Sequence, residues 1–286
     1  MTKKNTPLKR LMAILPAKMS LNLQYKWKMG VWPDLNNPKN FNEKVQYRKI
    51  HDNNDLFAIY SDKVLVKDFV AQRIGKDHVI PTLWCGKQLP PIRDRNWPKP
   101  FVIKANHGSG SNIFVTEKDT PDWPAIEKEA SSWLRQRYRP HLHERHYDKI
   151  DRQLLIEPYI GGGTLPSDHK FHVFGGRVEF IIMYIGRGTD MRAQMFDREW
   201  NKLNCRYYRD PPDSIPPRPK CLPQMIEMAE ALGKDFCFVR VDLYEIDGHP
   251  LFGEMTFTPG SGFRRFEPKS FDVQYGKLWN FPIPKA

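Results

Sequence analysis

The chain has 286 residues, 40% hydrophobic and 27% charged, which fits a soluble globular protein with length for one large domain or two smaller ones. No apolar run approaches the ~20 residues that cross a bilayer, and the four cysteines (Cys85, Cys205, Cys221, Cys237) lack any C-x-x-C pair, which argues against a disulfide frame or zinc site. A net charge of +12 favours an anionic partner: nucleotide, nucleic acid, acidic polysaccharide or anionic lipid.

Residues 1–30 carry Lys3, Lys4, Lys9, Arg10, Lys18, Lys26 and Lys28 among Leu, Met, Ile and Trp. They read as a basic amphipathic segment resting on an anionic membrane surface, or as a solvated helix covering the core. The apolar run 11–15 is too short for a secretion signal and ends at Pro16. Residues 32–38 read as a turn, and Asn40 or Asn42 caps a following helix. A second helix is expected to open at Ser61-Asp62-Lys63, with Val64, Leu65, Phe69 and Val70 on its apolar face and its end near Gly75. Lys63 then falls in the first turn, where the helix dipole disfavours a cation.

Phe101-Val-Ile-Lys104 is a short apolar strand running into Ala105-Asn-His-Gly-Ser-Gly-Ser-Asn112, with 113–115 as the returning strand. Glycines let backbone N–H groups approach a phosphate; Ser109, Ser111 and Asn112 add donors, and Lys104 adds a point charge. No Walker A pattern occurs, and an ordinary hairpin turn is the plain alternative. Residues 119–151 look helical and polar, with Trp133 and Leu134 inward and His141, His143 and His146 on an exposed face or, less in keeping with their spacing, around a metal.

Strand 154–156 leads into Glu157-Pro-Tyr-Ile160 and the glycines 161–163, a hinge between two lobes. Strands follow at 167–171 and 177–183, joined through Gly175-Gly176, with Asp168 and Lys170 on one face. Residues 186–220 are irregular and basic, 222–232 form an amphipathic helix stopped by Gly233, and the tail after Pro259 shows no strand.

The stretch 238–259 reads as a hairpin turning at Asp247-Gly248. A two-residue loop would pair 242 with 253 and send Glu254 to the other face. A three-residue loop, Asp247-Gly248-His249, is therefore expected, setting Arg240, Asp242, Glu254 and Thr256 on one face. Paired carboxylates with hard oxygen donors and no His or Cys suit magnesium; a solvated hairpin face is the alternative.

This order of parts resembles the ATP-grasp superfamily. More closely, Asn42-Glu43-Lys44, Ser61-Asp62-Lys63, Lys104-Ala-Asn-His-Gly-Ser-Gly, Asp168-His-Lys170-Phe and Gly253-Glu-Met-Thr-Phe-Thr-Pro-Gly-Ser-Gly262 are similar to its TupA-like branch, associated with teichuronopeptide, capsule and other surface-polysaccharide biosynthesis. The resemblance covers roughly residues 38–276. It implies an α+β ATP-grasp fold, in which two lobes, each with a mainly antiparallel sheet plus helices, clamp a nucleotide. The expected units are a helical N-terminal segment (1–58), a small lobe (59–160) and a C-terminal lobe (161–286).

The resemblance further implies that Lys63, Lys104 and the loop His107, Gly108, Ser109, Gly110 and Ser111 hold the phosphates of ATP. Glu157 and the backbone of Pro158, Tyr159 and Ile160 would bind adenine, with Asp168 or Lys170 near ribose or phosphate. Asp242, Glu254 and Thr256 would carry one or two magnesium ions. Arg240 and Lys104 take the catalytic roles, Arg240 stabilising charge on an acyl phosphate. Thr256 departs from the Asn common at that position, and a hydroxyl is a weaker ligand.

The implied activity is a carboxylate–amine ligase joining an amino acid or amine to an anionic glycan or lipid-linked sugar carboxylate. It would act in the cytoplasm or peripherally at the inner membrane face, with no nucleic acid as partner. A glycosyltransferase competes, although no D-x-D occurs and Glu245-x-Asp247 is the nearest approach. So does a sugar phosphotransferase using the same clamp, and a non-catalytic nucleic-acid binder would need basic residues interleaved with exposed aromatics.

Overall fold

The computed structural model describes residues 6–161, 165–186 and 189–281. The chain opens with helices α1 (Pro7–Ile14) and α2 (Ala17–Met29), the latter stopped by Gly30 at φ 82°. In α3 (Phe41–His51) the cap is Asn40: its N–H donates to the Glu43 carboxylate at 3.1 Å, closing a capping box. Asn42 instead bonds the Asp272 carboxylate through both its backbone and side-chain nitrogens.

Helix α4 (Leu56–Ser61) ends where a new helix was expected to start, and α5 (Val66–Ile74) begins five residues later. Between them the Asp62 carboxylate accepts from the N–H groups of Val64 (2.8 Å) and Leu65 (3.3 Å). This side-chain turn competes with helix continuation, so Lys63 sits in the turn, outside the dipole's reach.

A four-stranded antiparallel sheet follows, built from β1 (Trp84–Gly86), β2 (Phe101–Ala105), β3 (Asn112–Val115) and β4 (Leu154–Pro158) in the order β1-β4-β2-β3. Helix α6 (Trp123–Arg135) lays Ile126, Ala130 and Trp133 on its apolar face. The helix is shorter than the 119–151 expected. Beyond it His141 and His146 lie in 3-10 turns and His143 between them, all partly or wholly buried, and His143 faces the Met12 carbonyl at 3.0 Å. Among the described residues no group of three or more His, Cys, Asp and Glu side chains is arranged to hold a metal ion.

The second sheet has five antiparallel strands in the order β10-β9-β5-β6-β7. These are β5 (Asp168–Phe174), β6 (Arg177–Ile185), β7 (Arg192–Phe196), β9 (Phe238–Ile246) and β10 (His249–Thr256), with α7 (Leu222–Gly233) between β7 and β9. A short pair, β8 (Arg206–Tyr207) with β11 (Phe266–Glu267), and α8 (Ser270–Leu278) complete the described residues. Strand β7 corrects the irregular reading of 186–220, and β11 corrects the reading of a tail without a strand.

One face of the large sheet is mostly apolar: Phe171, Val173, Val239, Val241 and Leu243 pack against α7 and against Phe57, Val66 and Val70 of α4 and α5. The other face changes character along its length. At one end Phe174, Phe180 and Phe238 meet Phe41 of α3, Tyr275 of α8 and Trp279. At the other end it is charged and turns toward the small sheet. These cores divide the chain differently from the expected 1–58, 59–160 and 161–286 units, because residues 57–70 belong to the large sheet's core and α3 to its aromatic end. No helix of the described residues is long and apolar enough to cross a membrane.

Candidate active site

The two sheets enclose a cleft of about 1630 Å³. The small sheet contributes Val102, Lys104, Glu157 and the segment 158–160, and the large sheet contributes its charged end.

The β9–β10 hairpin carries that charged end, and it reaches the expected pairing by another route. Asp247 and Gly248 both have positive φ (53° and 79°), and His249 already pairs with Ile246, so the loop has two residues. The register then shifts between Phe252 and Glu254: Gly253 is left over as a β-bulge, after which Glu254 faces Asp242 and Thr256 faces Arg240. A Cβ at position 253 would stand 3.0 Å from the Tyr244 ring and 3.1 Å from the Asp242 carbonyl oxygen, which explains the glycine.

On the neighbouring strand Lys170 pairs with Asp242, and Asp168 lies two residues along the same face. The result is a ladder of alternating charge. Lys170 touches Asp168 (2.7 Å) and Asp242. Arg240 donates to both Asp242 oxygens (2.6 and 2.8 Å), to Glu254 (2.6 Å) and to the Thr256 hydroxyl (2.9 Å). The Thr256 hydroxyl in turn donates to Glu254 at 3.0 Å.

Burial, with Asp168 and Glu254 nearby, holds the Asp242 carboxyl above its ordinary range in spite of Arg240 and Lys170. Burial would raise Glu254 as well, but Arg240, Lys170 and Lys63 outweigh it and bring it down to about 2. Three carboxylates and two cations leave this face with one net negative charge. Oxygen donors alone, from two opposed carboxylates and a hydroxyl, fit a hard divalent cation better than a soft one.

Across the cleft, Lys104 ion-pairs with Glu157 at 2.6 Å, and Lys67, in the first turn of α5, holds the other Glu157 oxygen at 2.5 Å. Burial works to raise the Glu157 carboxyl, yet the two ammoniums lower it. Both Glu157 oxygens are thus engaged by lysines, and Glu157, Pro158, Tyr159 and Ile160 all line the cleft. The Tyr159 N–H is spent on the Pro100 carbonyl at 2.9 Å.

The glycine loop connects β2 and β3 as expected. Gly108 (φ 69°) and Gly110 (φ 86°) take left-handed conformations, and a Cβ at 108 would stand 2.2 Å from the Tyr138 ring. Lys63 donates to the Gly108 carbonyl at 2.5 Å, and the Ser109 and Tyr138 hydroxyls are 2.8 Å apart. His107 is buried, and desolvation with Arg152 and Lys63 nearby depresses it to about 4, so its ring is neutral and packs the loop. Ser111 lines the cleft.

Sequence reasoning missed Asn106, Lys67 and Tyr138. Asn106 is fully buried and ties the loop to Asp62 (2.9 Å), the Asp151 carbonyl (2.9 Å) and the Gln153 N–H (2.8 Å). Its place beside the glycines was a usable signal, as was the i, i+4 spacing of Lys63 and Lys67. Tyr138 had none. Of the expected hinge, Gly162 and Gly163 lie outside the described residues, as do Lys3 and Lys4 of the basic segment and Arg187 of the basic loop.

Residues 43–280 match the protein-family model described as TupA-like ATPgrasp. No curated protein matches the chain. It is similar to the ATP-complexed crystal structure of D-alanine–D-alanine ligase from Bacillus anthracis, at 16% identity and TM-score 0.44, covering 78% of this chain and 66% of that one. It is also similar to the L-amino acid ligase from Bacillus licheniformis, at 13% identity and TM-score 0.46, covering 92% of this chain and 52% of that one. The chain thus spans about half to just under two-thirds of the length of these structures.

Proposed function

Because the chain belongs to the TupA-like ATP-grasp family, we propose that it is an ATP- and magnesium-dependent, ADP-forming carboxylate–amine ligase. The observation that carries this reading is the opposition of two complementary surfaces across one cleft: a glycine loop with Lys63 and Lys104, and the alternating face of Asp168, Lys170, Asp242, Arg240 and Glu254. A glycine loop alone would suit any phosphate, and carboxylates alone any cation. Together they suit a metal-bound triphosphate.

In this reading Lys63, Lys104 and the backbone of 108–111 hold the phosphates, and the nucleobase lies against 158–160. Asp242 and Glu254, with the Thr256 hydroxyl, would hold magnesium, which when bound neutralises phosphate charge and helps orient the γ-phosphate. The substrate carboxylate attacks the γ-phosphorus, the bond to the ADP oxygen breaks, and an acyl phosphate forms. The amine then attacks the acyl carbon, inorganic phosphate leaves, and the amine gives up its proton. Arg240 stabilises the negative charge that develops on the acyl phosphate, and its four hydrogen bonds hold it in place for that task.

The proposed acceptor is a uronic acid or another carboxylate of a surface polysaccharide or its lipid-linked precursor. Peripheral contact with an anionic membrane fits the N-terminal helices. Ile14, Trp27 and Trp32 are 80%, 72% and 60% exposed, and basic residues accompany them with no Asp or Glu before Asp34. Sedimentation with phosphatidylcholine vesicles, with and without phosphatidylglycerol, tests this contact; equal behaviour with both would remove it.

Calorimetric titration of ATP with and without magnesium tests the ligase reading. Magnesium-dependent binding, weakened in Lys104→Ala and Glu254→Ala, is expected, followed by ADP release when uronates and amino acids are supplied together. No ATP binding by the unaltered protein would overturn it.

A further inference from the structure

Resting on the ligase reading, we infer that the end of the cleft formed by Lys28, Arg139, Arg264 and Arg265 is a separate binding site for a phosphate-bearing acceptor carrying two or more negative charges. All four residues line the cleft, from α2, the segment after α6 and the loop before β11.

Among the described residues none of the four forms an ion pair with a carboxylate. Rings and carbonyls hold them instead. Lys28 lies 4.0 Å from the centre of the Phe263 ring, Arg139 lies 5.1 Å from Tyr138, and Arg264 lies 3.2 Å from Tyr208. Arg265 donates twice to the Lys28 carbonyl, at 3.0 and 2.6 Å. The acidic groups nearby are engaged elsewhere: Glu144 accepts from Thr258 at 2.5 Å, and Glu267 pairs with Arg206 at 2.9 Å.

The crowding is electrostatically unfavourable. The Lys28 ammonium is depressed to about 8, by burial first and then by Arg264, Lys9 and Arg139, with Glu144 opposing. His141 beside it is pushed down to about 4 by burial and then by Lys28, Lys9 and Arg139, so it adds no charge at neutral pH. The backbone here is strained too. Arg139 and Tyr208 hold left-handed φ of 41° and 65°, a conformation that disfavours residues with a Cβ.

Unpaired cations, gathered at a cleft wall by strained segments, are neutralised best by a compact multiply charged anion. Guanidinium groups match phosphate oxygens two at a time. A lone sugar carboxylate offsets one of the four cations, whereas a diphosphate offsets two or more. Two sources share this chemistry: a soluble diphosphate-linked sugar and a lipid-borne phosphate. The second has a route, since α2 carries both Lys28 and the exposed Trp27.

The test saturates the protein with magnesium and a non-hydrolysable ATP analogue and then titrates inorganic pyrophosphate. A further pyrophosphate is expected to bind, weakened roughly tenfold by Arg264→Gln and by Arg139→Gln, with unchanged melting temperatures. Unchanged affinity in both variants, or no binding beyond the analogue, would overturn the proposal. If the analogue itself fails to bind, the ligase reading falls, and the same titration without analogue still decides this site. Vesicles containing phosphatidic acid separate the sources. Capture lost in Arg264→Gln assigns a lipid-borne phosphate, and pyrophosphate binding without capture assigns a soluble one.

Discussion

Asp242 and Glu254 stand opposite each other on β9 and β10 because Gly253 is left unpaired between Phe252 and Glu254. The two-residue turn would otherwise present Gly253 to Asp242 and send Glu254 to the apolar face. The bulge thus assembles the charged ladder, and the space around Gly253 admits little more than a hydrogen.

Gly253→Val is expected to destabilise the protein by about 1–3 kcal/mol, the range for overpacking a close contact. Its side chain must displace either the Tyr244 ring or the backbone at Asp242. Denaturant unfolding checks the magnitude, and nucleotide titration should show a matching loss if Glu254 moves with the bulge.

Acid stability should report Glu254. Its carboxyl is depressed from 4.5 to about 2, so the stabilisation it supplies is complete above 4.5 and is lost as pH falls through about 2. Glu254→Gln lacks that contribution at every pH. The stability gap between the two proteins should therefore be widest near neutrality and shrink as pH falls toward 2. A gap independent of pH would contradict the assignment.

Glu157→Gln should loosen both lysines it holds. Removing a buried carboxylate with two ammonium partners is expected to destabilise by about 2 kcal/mol. Lys67→Met leaves the Lys104 pair intact and should lose less. Paired thermal melts of the two variants give the comparison directly.

Arg48→Lys should behave as a damaging change despite conserved charge. Arg48 is 1% exposed, donates to the carbonyls of Phe238 (2.9 Å) and Phe257 (3.0 Å), and stacks 4.4 Å from the Trp279 ring. A lysine cannot reproduce that planar fork, so a loss of about 2–4 kcal/mol is expected, measured by chemical denaturation.

Much of this was legible in the chain itself. Alternation from Phe238 onward specified a strand with Val239, Val241 and Leu243 on one face and Arg240 and Asp242 on the other. The apolar run 101–103 ending at Lys104, followed by glycines and serines, marked a strand and a loop. The Ser61–Lys63 boundary was misjudged because the Asp62 side chain competes locally for the backbone, and α8 was missed because its short polar surface has little periodicity. Such signals depend on covalent geometry and neighbours within a few residues, and there sequence suffices.

Only the tertiary structure decided which charge meets which. Lys67 and Lys104 converge on Glu157 from separate elements, a pairing that no local pattern announces. Asn42 and Asp272 meet although they are 230 positions apart. The same holds for Lys28, Arg139 and Arg264, whose shared lack of carboxylate ion pairs among the described residues is a property of the assembled cleft. Side-chain direction along a strand follows from local backbone geometry. Electrostatic pairing depends on distance in space, which the chain acquires only once its cores have packed.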